Sequence, residues 1–291
     1  MTEKRWFTYH FEAVGIQEYI FAGAKLKDMV AASELVDQLC DAPLTKLIAT
    51  LDLSEISFDS PLDLNSPQTL PSLSLPNQDE IVFPRKAGGA FIAVMASESV
   101  AHRFAALWSL VVSQFAPGLK FSASLGQGVK LVDAIKQGID KQKAQRNVVY
   151  PSLPQATPIM ERSPRTGEWV AERSARNPDA ALESLDLATQ IKRQRTDSKA
   201  IGLDNKFLVG TKDYRFPVCI EHNDPKACGK QEAFPFQNQG GAIEGAHHVG
   251  LIHADGNGLG QFLHDFFAAL SDKSDAQYLQ AYAIFTQGLE T

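Results

Sequence analysis

Asp255 stands in the stretch GLIHADGNGLGQF, Gly250 to Phe262, followed by Gly256, Asn257, Gly258 and Gly260. An apolar run from Val249 to Ile252 leads in, and another opens at Phe262. The pattern reads as a buried strand, a tight turn and a helix start. A carboxylate at a strand end beside glycines can hold a metal ion or let the backbone approach a phosphate. A metal site of that kind needs further carboxylates. The plain alternative is a turn aspartate capping the following helix at its positive end.

Three other groups of residues could do chemistry. Cys219, His222 and Cys228, in CIEHNDPKAC, have a zinc-compatible start, and His247 or His248 could supply a fourth ligand. No paired CxxC accompanies them, so they read as structural or incidental and zinc is not expected. KRQR (Lys192 to Arg195) with Lys199, and KQKAQR at 141–146, could line a surface for RNA or another subunit. Acids interleave at Glu183, Asp186 and Asp197, and no aromatic stacking set is present, so a solvated helix face is expected. Ser33 reads as a helix serine facing a neighbour.

These residues need a scaffold. The 291 residues are 44% hydrophobic and 21% charged, which suits about two globular domains. The net charge of -6 gives no bulk attraction to nucleic acid. Three cysteines are too few for a disulfide framework, so a reducing cytoplasm is the expectation. MTEKRWFTYHFEAVG lacks the apolar core of a signal peptide, and no run of about 18 apolar residues suggests a membrane span.

FTYHFEAVG reads as a strand, and a helical pattern follows from Ile16 to Cys40, which Pro43 does not clearly end. Residues 51–78 are Pro- and Ser-rich and read as loop. DEIVFP and GAFIAVMA flank RKAGG as a hairpin. SESVAHRFAALWSLVVSQF reads as a helix with Ser97 as N-cap and Pro117–Gly118 as its stop. LKFSASLG is a strand, VKLVDAIKQGIDKQKAQ a helix, and PIMERSPRTGEWVAE a hairpin around SPRTG. This order predicts an α+β fold of ferredoxin-like type, with helices on one face. The expected divisions are a first domain over 1–175, an irregular connector over 176–245, and a second strand-helix unit over 246–291. A single strand cannot bury itself. Either the chain is a fragment or the tail packs on the first domain.

GIQEYIFAGAKLKDMVAASELV resembles the first palm domain of the type III CRISPR large subunit, the Cas-ten (Cmr-two) family. IHADGNGLGQF resembles the opening of that family's second palm, RKAGGAFIAV sits where the first palm has its hairpin, and SPRTGEW resembles the Cys-x-x-(Thr/Ser)-Gly hairpin that closes it, with Ser163 for cysteine. The likeness spans most of residues 7–170 and 248–270. It implies a GGDEF/polymerase-like palm fold and ATP bound between two palms with Mg or Mn. It also implies cyclic-oligoadenylate synthesis in antiviral defence, with other CRISPR effector subunits and guide or target RNA as partners. Nucleotide contacts would then fall on Asp255, Gly256, Asn257, Gly258, Gly260 and Ser33, and metal on Asp255. The chemistry is metal-assisted attack of a ribose hydroxyl on an α-phosphate.

An active palm pairs a strand-end aspartate with a Gly-Gly-acid-acid hairpin. Here the first strand ends in Gly15, Ile16, Gln17, and the hairpin reads Gly88, Gly89, Ala90, Phe91. No carboxylate stands at either place, and no Gly-Gly-acid-acid string occurs in the chain. The first palm is expected to be degenerate, and the partners of Asp255 to lie beyond residue 291 or on another subunit. The other reading is a palm-fold scaffold or sensor making protein contacts. An unrelated α+β domain with a coincidental glycine motif is the third.

Overall fold

In strand β1, Trp6–Val14, aromatic residues at alternate positions send Tyr9 and Phe11 to one face of a sheet, and Trp6, Thr8 and His10 to the other. This is a computed structural model, and it describes residues 5–23, 25–60, 62, 70–87, 89–145, 148, 155–172, 184–197 and 259–290. After β1 come α1 (Ile16–Phe21), α2 (Leu26–Gln38), α3 (Ala42–Thr50), β2 (Ser54–Ile56), β3 (Glu80–Ala87) and β4 (Ala90–Met95). Then follow α4 (Glu98–Phe115), β5 (Lys120–Gly128), α5 (Leu131–Gln145) and α6 (Leu187–Asp197). The last described helices are α7 (Leu259–Leu270) and α8 (Asp275–Glu290).

The sheet runs β2-β3-β4-β1-β5, with β2 parallel to β3 and every other neighbouring pair antiparallel. The fold is therefore α+β, as the sequence predicts. β2 lies within the stretch read as loop; its three residues carry too short a pattern to show periodicity. The long helical pattern after Gly15 breaks into three helices, and Pro43 opens α3 in its first turn, where its missing N–H is harmless. Ser97 caps α4 by accepting the Val100 N–H at 3.4 Å.

Helices cover both faces, not one. On the first face, α2, α3 and α4 close over Tyr9, Phe11, Phe91, Met95, Phe104 and Trp108. Phe91 stacks on Phe11 at 5.3 Å and meets Trp108 edge-on at 5.1 Å. On the second face, α5 and α8 cover Trp6, Val82, Ile92 and Val94. The tail from His264 belongs to the same compact unit as residues 1–198, so it packs on the first sheet.

The seam between α5 and the strands is polar and close. Thr8 Oγ1 donates to Ala134 O at 3.0 Å, Ser124 Oγ to Gly138 O at 2.7 Å, and Ser122 Oγ to Gln142 O at 3.3 Å. Those carbonyls recur every four residues, along one side of the helix. Glycines permit the approach. A Cβ on Gly126 would stand 2.1 Å from Ala134 O, and one on Gly138 would stand 2.1 Å from His10 Nε2.

Candidate functional site

β1 turns into α1 through Gly15, whose φ of 65° is left-handed and suits glycine. Beside it lies the β3–β4 hairpin. Ala13 N–H donates to Gly89 O at 2.8 Å, and Gly89 also has positive φ, at 83°. A Cβ on Gly89 would meet Val36 Cγ1 at 3.1 Å, Ala13 Cβ at 3.3 Å and Ile16 Cδ1 at 3.9 Å. The strand end and the hairpin thus come together, and what lines their junction is aliphatic. Phe91, where an acidic hairpin would show a carboxylate, is buried in the aromatic core. The carboxylate beside Gly15 is Glu18, which Lys120 Nζ holds at 2.7 and 2.9 Å. Cys40 is buried nearby, and burial pushes its thiol up to about 11, which keeps it protonated and unreactive. A divalent ion needs several oxygen ligands, so these residues do not fit one.

The α1–α2 junction carries a cluster that sequence reasoning missed. Asp28 is fully buried, and its Oδ1 accepts from Arg193 Nε at 3.3 Å. Gly23 leaves room for it: a Cβ there would stand 3.1 Å from Asp28 Cβ. Lys192 is also buried. It donates to Tyr19 O at 2.7 Å and lies 3.9 Å over the Tyr19 ring. Burial brings the Lys192 ammonium down to about 8, against the opposing pull of Asp186 and Asp28. Asp186 in turn accepts from Ser163 Oγ at 2.7 Å, Thr189 N at 2.9 Å and Thr189 Oγ1 at 2.9 Å, so it caps α6 and ties the SPRTG turn to it.

This corrects the reading of KRQR as a solvated face. Lys192 and Arg193 turn inward and Arg195 lies 4.7 Å over the Phe115 ring, leaving Gln194 exposed. The signal was present in α2. Asp28 shares the apolar stripe of Ala31, Ala32 and Leu35, so a cation had to arrive from elsewhere.

Ser33 is half-buried on α2, five residues beyond Asp28 and hence on a different side of the helix. It does not join the cluster. Gly260 falls in the first turn of α7. Asp255, Gly256, Asn257 and Gly258 lie outside the described residues, as do Gly88, Cys219, His222, Cys228, His247 and His248. Among the described residues no group of three His, Cys, Asp or Glu could hold a metal ion. No helix among them is long and apolar enough to cross a membrane. Compared with known proteins, the chain matches no family model and no curated sequence.

Proposed function

We propose that the chain is a nucleotide-binding palm-domain protein of the type III CRISPR large-subunit kind, acting in antiviral defence. Its first palm is non-catalytic, and ATP is held through the glycine motif at Asp255. The supporting observation is the strand order β3-β4-β1-β5, antiparallel throughout, with helices between β1 and β3 and between β4 and β5. A ferredoxin-like palm has the same order, which supports the reading. This order sets the end of β1 beside the β3–β4 hairpin, the two positions at which an active palm carries its acids. With aliphatic groups there, no step of nucleotide transfer is assigned to this palm. Magnesium or manganese would accompany ATP at Asp255, and would there neutralise phosphate charge.

The aliphatic lining also favours a second reading, a palm-fold scaffold or sensor that makes protein contacts and binds no nucleotide. Isothermal titration of the chain and of Asp255→Ala with ATP and magnesium separates the two. Saturable binding that weakens about tenfold or more on substitution supports the nucleotide reading. Absence of binding to either protein leaves the scaffold.

A further inference from the structure

A groove of about 460 Å³ runs along the outer edge of the sheet, where β2 leaves β3 and α8 passes beneath. That volume is in the range that encloses a small molecule. Its apolar walls are Ile56, Phe58, Leu73, Phe83 and Ala283. Polar groups converge on it from three elements: Glu55 on β2, Lys86 on β3 and Gln287 on α8, with Asp59 just past β2.

An added peptide strand is not the occupant this edge suits. β2 pairs with β3 only from Glu80 to Val82. Beyond that, Pro84 has no N–H, its carbonyl accepts from Thr286 Oγ1, and the β3–β4 register shifts between Val82 and Arg85. Proline, a bulge and a lysine are devices that block strand addition.

The polar groups favour a hydrogen-bond donor with positive charge. Gln287 Oε1 is buried and accepts no hydrogen bond among the described residues. Two carboxylates, Glu55 and Asp59, line the groove against one ammonium, Lys86; Lys86 meets Glu55, while Asp59 Oδ1 accepts from the Ser72 N–H at 2.9 Å. That ammonium shows how the groove treats a cation: Lys86 Nζ lies 5.5 Å over the Phe83 ring and 3.4 Å from Glu55 Oε1. Both side chains are about a third exposed, and the contact is long, so the pair is weak and open to a competitor.

We infer that this groove binds a small organic cation, an amine or guanidinium on a short apolar body. Its charged end is taken by Glu55 and the aromatic edge, and an N–H donates to Gln287 Oε1. The site is independent of the nucleotide reading and stands if that reading fails.

The test is titration of the full chain with N-butylguanidinium, followed by isothermal calorimetry and by amide shifts of residues 55–60 and 283–287. The neutral comparator is N-butylurea. Saturable binding with Kd of about 0.1–1 mM is expected, with N-butylurea about tenfold weaker. Glu55→Gln and Gln287→Leu each weaken N-butylguanidinium about tenfold, while Lys86→Met, which removes the competing charge, tightens it severalfold. Lys86 is about a third exposed and its pair with Glu55 is weak, so that variant remains informative even where Glu55→Gln fails to fold. Three results overturn the inference: no saturable binding to wild type or Lys86→Met, equal binding of N-butylurea, or weaker binding by Lys86→Met.

Discussion

His10 shows how one residue carries a pH response. Thr8 spends its hydroxyl proton on Ala134 O, so its oxygen is left to accept from His10 Nε2, 3.0 Å away. That places the neutral ring's proton on Nε2. Nδ1 is buried with no partner among the described residues, and a second proton there would have no acceptor. Burial, with Arg85 adding to it, takes the ring from 6.5 down to about 4. The unfolded chain therefore binds a proton that the folded chain refuses. Stability is retained above pH 6.5 and lost as pH falls toward about 4, by on the order of 3 kcal/mol in all. His10→Gln, compared with wild type by urea unfolding at several pH values, should be less stable at pH 7 yet lack this part of the acid slope. An unchanged slope in the variant would remove His10 as its source. None of this was legible in FTYHFEAVG. Alternation put His10 opposite the aromatic residues, but whether that face met water or a helix depended on α5, more than a hundred residues away.

At the scale of elements, local pattern served well where burial is one-sided. α4 with its Ser97 cap, the β3–β4 hairpin and β5 all stand where the sequence predicts them. The α5 helix was legible too, but its glycine was not. In a helix interior Gly normally costs about 1 kcal/mol against Ala, so propensity alone expects Gly138→Ala to stabilise. The structure reverses the sign. The new Cβ would stand 2.1 Å from His10 Nε2 and 2.2 Å from His10 Cδ2, on a ring fixed between strand and helix. Relief requires α5 to lift, which breaks the three hydroxyl bonds from Thr8, Ser122 and Ser124. Overpacking of this kind costs about 1–3 kcal/mol, enough to outweigh the propensity gain. Chemical denaturation of Gly138→Ala should show a lower midpoint, and a raised midpoint would mean that the seam is not closed as described. The same limit explains the missed Asp28 cluster. Its stripe is visible in α2, but the cation that answers it comes from α6, 165 residues on.

Across the whole molecule, Asp275 joins three distant parts of the chain. Its Oδ2 accepts from Trp6 Nε1 at 2.6 Å, and its Oδ1 from the Leu131 N–H at 2.8 Å. These are the start of β1, the first turn of α5 and the first turn of α8. The charge sits at the N-termini of both helices, where their dipoles favour it. Trp6 is only 1% exposed, so its indole N–H has no water to turn to if the carboxylate is lost. The tail then closes the second face of the sheet by burying Tyr278, Leu279, Tyr282 and Ala283 against Val82, Ile92 and Val94. No local rule pairs positions 6, 131 and 275, so the covered second face was not legible in the sequence. Asp275→Ala should lower stability by about 2–3 kcal/mol, since it removes two charge-assisted bonds and strands a buried donor. Asp275→Asn, which keeps one acceptor oxygen, should lie between. Urea midpoints give the order, and tryptophan emission, which shifts red when Trp6 meets water, shows whether the loss begins at this clamp. A loss below about 0.5 kcal/mol in Asp275→Ala would mean that apolar packing alone holds the tail to the sheet.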